Sequence, residues 1–365
     1  MKILIDIRLL SKGGQSGIEE YTRHLVSNLL AIDKKNSYQL FYNGWKKHPL
    51  PTTWPNKATI IDRKMPNKLF DLNSHFMKKS PLPPADLIFS PNLNLLKTKA
   101  PRILTIHDLS FIHYPHLFPR QSQIWHWLQD YKSQIKEASL ITAVSNFTKQ
   151  DLIETLKVPG EKIRVVPLGI DEKFKVLNVE RPSSLQAPFI LYLGTIEPRK
   201  NVAAIIKAFN IVKANGQLKD LKLVLAGRLG WLYKKTLKTY EASPYKEDII
   251  LWGSVEDKDR PLLYNLAEAL IFPSFFEGFG LPPLEAQACG CPVIASRRTS
   301  LIEVLGDSAR LIDPWRIHDL AGTIEEVLTT NLKNKLKEAG LINRQRFSWD
   351  KSAHQLLNIF NEYEA

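Results

Sequence analysis

Short apolar runs recur along the chain, separated by longer stretches in which apolar residues return every three or four positions. In the first half the runs are KILIDI, YQLFYN, ATII, DLIFS, ILTIH, LITAV and IRVVP; in the second they are FILYLG, KLVLAG, IILW, ALIFP, PVIAS and RLID. Most are too continuous for strands with one wet face, so they predict parallel strands buried on both sides. Strands alternating with helical periodicity predict an α/β fold of doubly wound sheets. The same plan occurs twice. Between the two copies, residues 178–188 (NVERPSSLQAP) hold two prolines, two serines and no periodic apolar pattern, as a linker would. Two Rossmann-like domains are therefore expected, residues 1–181 and 182–345, facing across a cleft where ligands meet the carboxyl ends of the strands.

Two helices can be read in more detail. Ser16, followed three residues later by Glu19, forms a capping box ahead of Ile18, Tyr21, Leu25 and Leu29, which share one helical face. The last segment, SWDKSAHQLLNIFNEYEA, places Ala353, Leu356, Leu357 and Phe360 on one face, with Ser348 at the N-cap position. The opening MKILIDIRLL is interrupted by Asp6 and Arg8 and reads as a first strand, not a leader. No run approaches the roughly 18 apolar residues of a spanning helix, so a soluble or peripheral protein is expected.

Composition alters this picture in two respects. Among 365 residues only Cys289 and Cys291 are cysteines, too few for a disulfide framework or a structural zinc site, which fits a reducing cytoplasm. The net charge of +13 is uneven: residues 1–180 carry 26 Lys and Arg against 16 Asp and Glu, and residues 181–365 carry 24 against 21. Residues 34–102 hold 13 basic side chains and only Asp62, Asp71 and Asp86 as acids, a bias that suits an anionic surface or substrate.

The densest chemistry lies in residues 271–296, IFPSFFEGFGLPPLEAQACGCPVIAS. A strand ends at Pro273, a loop with two glycines follows, and Pro282 and Pro283 can open a helix. Such a helix start favours a diphosphate, while Glu277 and Glu285 can accept hydrogen bonds from sugar and ribose hydroxyls. Alone, either glutamate would be an ordinary loop or first-turn residue. Together, EGFGLPPLE at 277–285 and ACGCPVIAS at 288–296 resemble the E-x7-E signature, with its usual continuation, of the family 4 (group 1) retaining GT-B glycosyltransferases.

The resemblance extends over most of the chain. LYLGTIEPRKN, residues 191–201, is similar to the family's loop at the start of the nucleotide-binding domain, which implies Lys200 and Arg199 as donor-diphosphate ligands. Thr195 stands where many members have arginine, and Arg228 in LAGRLGW is the candidate replacement. The glycine-rich segment that contains Gly13, Gly14 and Gly17 resembles the loop after the first strand, which implies close approach of backbone at Gly14 to donor or acceptor. TIHDLSFIHYPHLFP, residues 105–119, resembles the family's strand-end segment and implies that His107 faces the donor sugar. TAVSNFTKQD and VVPLGID also resemble family segments, although Leu168 replaces a common asparagine.

By this resemblance the first domain binds the acceptor and the second the nucleotide sugar, through Gly278, Phe279, Gly280 and Leu281 as well as the residues above. Helix 346–365 is expected to cross back onto the first domain. Closure would bring His107, Glu277 and Lys200 together and exclude water. The implied reaction is front-face displacement with retention, in which Glu277 orients the sugar and stabilises charge and Glu285 holds the ribose. No cluster of histidines and carboxylates with metal-ligand spacing is read along the chain, so no metal and no cofactor are expected. TIEPRKN with FEGFGLPPLE is closest to bacterial mannosyltransferases of polysaccharide or lipopolysaccharide assembly. That implies GDP-mannose as donor, with UDP-sugars open, and a glycan or lipid-linked glycan as acceptor.

Two other classes fit less well. A nicotinamide-dependent dehydrogenase would need G-x-G-x-x-G after a strand with an acid about 20 residues on, and neither is present. A nucleic-acid-binding protein would explain the basic first half, but no recognition motif accompanies the charge. The lysine pairs Lys34–Lys35, Lys46–Lys47 and Lys78–Lys79, near Trp45, Trp54, Phe70 and Phe76, instead allow a peripheral contact with anionic lipid at the inner face of a membrane.

Overall fold

The computed structural model describes residues 1–13, 16–44, 48–76 and 82–363. They form two compact units. The first holds Met1–Phe111, Arg120–Gly169 and the chain from Ser348 onward; the second holds Ile112–Pro119 and Ile170–Phe347.

The first unit is built on seven parallel strands: β1 (Lys2–Asp6), β2 (Ser37–Tyr42), β3 (Thr59–Asp62), β4 (Leu87–Ser90), β5 (Arg102–Ile106), β6 (Leu140–Ala143) and β7 (Ile163–Val165). Their order is β3-β2-β1-β4-β5-β6-β7, so the winding reverses between β1 and β4. The central strands β4, β5 and β6 are buried at every position, the condition that makes continuous apolar runs of them. Helix Gly17–Ile32 starts on the expected capping box: Ser16 Oγ accepts from Glu19 N at 3.4 Å, and Glu19 Oε2 accepts from Ser16 N at 2.7 Å.

Helix Trp349–Asn361 packs on helix Gly17–Ile32. Ala353, Leu356 and Phe360 are buried as their spacing predicts, with Ile359 added and Leu357 half-buried. Ser348 stands at the N-cap but its side chain makes no cap bond. At the head of the helix Trp349 stacks on His24 with ring centroids 5.2 Å apart. Gly169 is needed there, because a Cβ would fall 2.0 Å from Trp349 N. Near the helix end, fully buried Phe360 meets the edge of Phe89 at 5.6 Å. Phe360→Ala should therefore cost about 3–5 kcal/mol, the usual range for truncating a buried aromatic. Urea denaturation followed by circular dichroism would show this as an earlier transition.

Two aromatics expected beside surface lysines are core residues instead. Trp54 is fully buried, with Nε1 donating to Ser27 Oγ at 2.9 Å, and Phe70 packs on Phe41 at 5.2 Å beneath the Arg8 guanidinium. Large apolar area favours burial over a place among charges. Trp45, Lys46, Lys47, Lys78 and Lys79 lie outside the described residues, whereas Lys34 and Lys35 are exposed.

The second unit repeats the plan with β8 (Phe189–Leu193), β9 (Lys222–Ala226), β10 (Ile249–Gly253), β11 (Ala269–Phe272), β12 (Val293–Ser296) and β13 (Arg310–Ile312), all parallel, in the order β10-β9-β8-β11-β12-β13. The winding reverses between β8 and β11, the switch point at whose carboxyl end ligands collect in such sheets. The chain enters this unit after Gly169, so residues 178–188 lie within it. Arg181 holds that segment through Leu185 O, Ala187 O, Leu266 O and Glu268. Cys289 and Cys291 are free and buried. Among the described residues, no helix is long and apolar enough to cross a membrane.

Candidate active site

The switch point of the second sheet is lined by the loops that follow β8 and β11. Arg199 and Lys200 lie on the first of these loops, Glu277 on the second, and the fold brings the three together. Lys200 Nζ donates to Glu277 Oε1 at 2.5 Å, and Arg199 Nη1 reaches Glu277 Oε2 at 3.3 Å and Phe276 O at 2.6 Å. Lys200 also lies 5.0 Å over the Phe272 ring. Burial would push the Glu277 carboxyl up, but Lys200 and Arg199 outweigh it and hold the group below its ordinary value, ionised at neutral pH.

Sequence reasoning missed a fourth member, Glu197. It is buried, accepts from Arg199 Nε at 3.2 Å and Nη2 at 2.9 Å, and is raised in pKa because desolvation exceeds the pull of Arg199 and Lys200. An acid two residues before the arginine of TIEPRKN was the available clue. Arg199 is thus braced between two carboxylates, Glu197 and Glu277.

The loop after β8 is also held by the loop after β9. Gly194 N donates to Ala226 O, Ile196 N to Arg228 O and Gly230 N to Ile196 O, each at 2.9–3.0 Å. Gly227 has φ +146°, and a Cβ there would lie 1.9 Å from Gly194 O, so no other residue permits this crossing. The Arg228 side chain is exposed, while its carbonyl anchors Ile196.

On the loop after β11, Glu277 N donates to Thr299 Oγ1 at 3.1 Å, and Ser300 Oγ donates to Glu277 O at 2.8 Å and Phe279 O at 3.2 Å. Gly278, Phe279, Gly280 and Leu281 are all buried, and Gly280 adopts φ +102° immediately before helix Leu281–Ala288. Pro282 and Pro283 bring no N–H to the first turn, so an anion there would rely on few backbone donors and chiefly on the neighbouring cations.

Glu285, expected beside Glu277 as the ribose ligand, has a separate set of partners. Its carboxylate is bound by the Arg260 guanidinium and by Tyr264 Oη at 2.8 Å, and Arg260 in turn reaches Asp257 at 3.1 Å and covers the Phe174 ring at 5.1 Å. Neither Arg260 nor Tyr264, in DKDRPLLYNL, had been singled out from sequence.

In the first unit, His107 follows β5. Its Nε2 lies 2.8 Å from Pro91 O, and the edge of its ring meets Tyr21 at 4.8 Å. A carbonyl can only accept, so Nε2 carries the proton and Nδ1 presents a lone pair. Burial lowers the imidazole pKa, which favours the neutral ring. Asp108 Oδ1 accepts from Ser110 N at 2.9 Å and Oγ at 2.6 Å. Gly14 lies outside the described residues.

Comparison with known proteins identifies the family. The family model for glycosyl transferases of group 1 matches residues 176–346, and that for glycosyltransferase family 4 matches residues 16–174. The chain is 30% identical over 278 residues to an O-antigen chain mannosyltransferase B of Escherichia coli, a match that covers 74% of this chain and 72% of that protein. It is 33% identical over 239 residues to a serotype-specific mannosyltransferase WbdA of Escherichia coli, covering 62% of this chain but only 29% of that longer protein. Among solved structures, Anabaena HepE in complex with UDP and glucose superposes with a TM-score of 0.72 at 17% identity, covering 99% of this chain and 100% of the other.

Two Rossmann-like units of this kind define an α/β protein of GT-B architecture, and the two family models with the relative at 30% identity make it a glycosyltransferase. The chain belongs to the family 4 (group 1) glycosyltransferases.

Proposed function

We propose that the protein transfers mannose from GDP-mannose to a glycan or lipid-linked glycan acceptor, with retention of anomeric configuration and without a metal ion. The observation that carries this reading is the convergence of Lys200 and Arg199 on Glu277 at the switch point of the second sheet. The choice of mannose is supported by the names of the relatives at 30% and 33% identity. In the reaction the acceptor oxygen bonds to the anomeric carbon as the bond from that carbon to the phosphate oxygen breaks. The acceptor's proton passes to the departing phosphate, and GDP leaves.

Lys200 and Arg199 stabilise the charge that gathers on the leaving diphosphate, with exposed Arg228 as a further cation. Glu277, kept ionised by its two partners, accepts from hydroxyls of the transferring sugar. The neutral His107 offers Nδ1 to a sugar hydroxyl. Glu285, in this reading, holds the ribose while Arg260 and Tyr264 fix its orientation. The cytoplasmic location expected from cysteine usage belongs to the same reading.

Calorimetric titration with GDP-mannose, GDP and a panel of UDP-sugars tests the donor, and NMR of the product's anomeric proton tests retention. GDP-mannose should bind most tightly and give a product of the donor's configuration. Preference for a UDP-sugar would replace the donor, and an inverted product would refute the front-face course. Full activity should survive EDTA, since side-chain cations supply the countercharge. A strict need for magnesium or manganese after chelation would contradict the metal-free mechanism.

A further inference from the structure

The helix Arg120–Leu128 (RQSQIWHWL) buries no residue. Ile124, Trp127 and Leu128 stand at i, i+3 and i+4, the spacing of a face that packs on a core, yet they are 57%, 71% and 40% exposed. What holds the helix is its other side and its end. His126 stacks on Phe111 at 4.1 Å, and Gln129 accepts from Leu95 N at 2.6 Å and donates to Asp71 Oδ2 at 3.1 Å. Asp71 lies on helix Asn67–Phe76, so the two helices are tied together, and that second helix leaves Leu69 45% and Leu72 49% exposed.

We propose that the apolar face of helix Arg120–Leu128, formed by Ile124, Trp127 and Leu128, docks on an anionic lipid bilayer, with the exposed Leu69 and Leu72 of the tied helix as further apolar area. An amphipathic helix with tryptophan on its apolar side and cations around it lies in the plane of the membrane interface, its apolar face among the acyl chains. The charge selects the lipid. The sequence has no Asp or Glu between Asp108 and Asp130 or between Asp71 and Asp86. Lys68 and Arg120 are exposed on the two helices, and the next helix, Tyr131–Glu137, exposes Lys132 and Lys136 against the one acid Glu137. An isologous contact with a second copy would set this basic surface against itself, whereas anionic headgroups complement it.

The core placement of Trp54 and Phe70 removes them from any lipid contact, and helix Arg120–Leu128 supplies the apolar part instead. The proposal stands on the surface alone. It does not depend on the donor or acceptor assigned above, although a docked first unit would present the enzyme to lipid-linked acceptors.

The test is co-sedimentation of the full chain with vesicles of phosphatidylcholine, with and without phosphatidylglycerol. The protein should bind only the phosphatidylglycerol vesicles, and binding should fall as salt rises. Ile124→Ser with Trp127→Ser and Leu128→Ser should lower partitioning about tenfold or more. Arg120→Gln with Lys68→Gln, which leaves the helix apolar face intact, should lower it and flatten the salt dependence. Far-UV circular dichroism should be unchanged in both variants because every altered side chain is exposed. Should the triple variant lose helicity, Trp127→Phe with bromine-labelled acyl chains replaces it: quenching of fluorescence by the labelled lipid should be smaller than in the wild type. Failure of the wild type to bind at low salt, or undiminished binding by the variants, would overturn the proposal. So would a wild-type dimer in sedimentation velocity that the triple variant abolishes, since the face would then belong to a second copy.

Discussion

Glu277→Gln is expected to lower the turnover number by about a hundredfold or more at saturating donor, with little change in melting temperature. The side chain is buried, with one carboxylate oxygen on Lys200 at 2.5 Å and the other near Arg199 at 3.3 Å. Glutamine keeps the volume and can still accept from Lys200 through its amide oxygen, so neither cation is left without a partner. Alanine would remove the anion altogether, and part of its effect would then be loss of stability, because the part-buried Lys200 would lose its carboxylate partner while Arg199 would keep only Glu197. What glutamine cannot supply is the negative charge that a sugar hydroxyl or a cationic transition state would meet. Steady-state kinetics of the purified variant, with donor affinity measured separately, distinguishes the outcomes. Turnover near that of the wild type would remove Glu277 from the reaction centre.

Lys200→Ala is expected to weaken binding of the nucleoside diphosphate by about ten- to a hundredfold while leaving the bare nucleoside almost unaffected, the magnitude of one lost hydrogen bond to a charged group. Glu277 retains Arg199 in this variant, and Arg199 retains Glu197, so the local fold is kept. In the proposed reading the diphosphate competes with Glu277 for the donors of Lys200. Calorimetric titration of both ligands reads the difference directly. Equal losses for nucleoside and nucleoside diphosphate would show that Lys200 does not touch phosphate.

Much of this protein could be read along the chain, because local rules act where sequence neighbours are also structural neighbours. The central strands were visible since a parallel strand covered on both faces must be apolar throughout, as FILYL and VIAS are. The capping box at Ser16 needs only residues three apart. EGFGLPPLE and TIEPRKN marked Glu277, Arg199 and Lys200 by residue type and spacing. Contacts between distant segments depended on the winding of the sheets. The order of β8 and β11, next to each other in space but far apart in sequence, is what sets Lys200 against Glu277 across 77 residues of chain. Packing of the helices on either side of β11 likewise gives Glu285 to Arg260 and Tyr264, whereas Glu197, the second carboxylate of Arg199, stands two residues away on the same loop. Burial, too, was decided only in three dimensions. Trp54 and Phe70, read beside lysines, fill the core, whereas Ile124, Trp127 and Leu128, spaced like a core face, are left in solvent. Periodicity specifies which side chains share a face of a helix; whether another element covers that face depends on the rest of the fold.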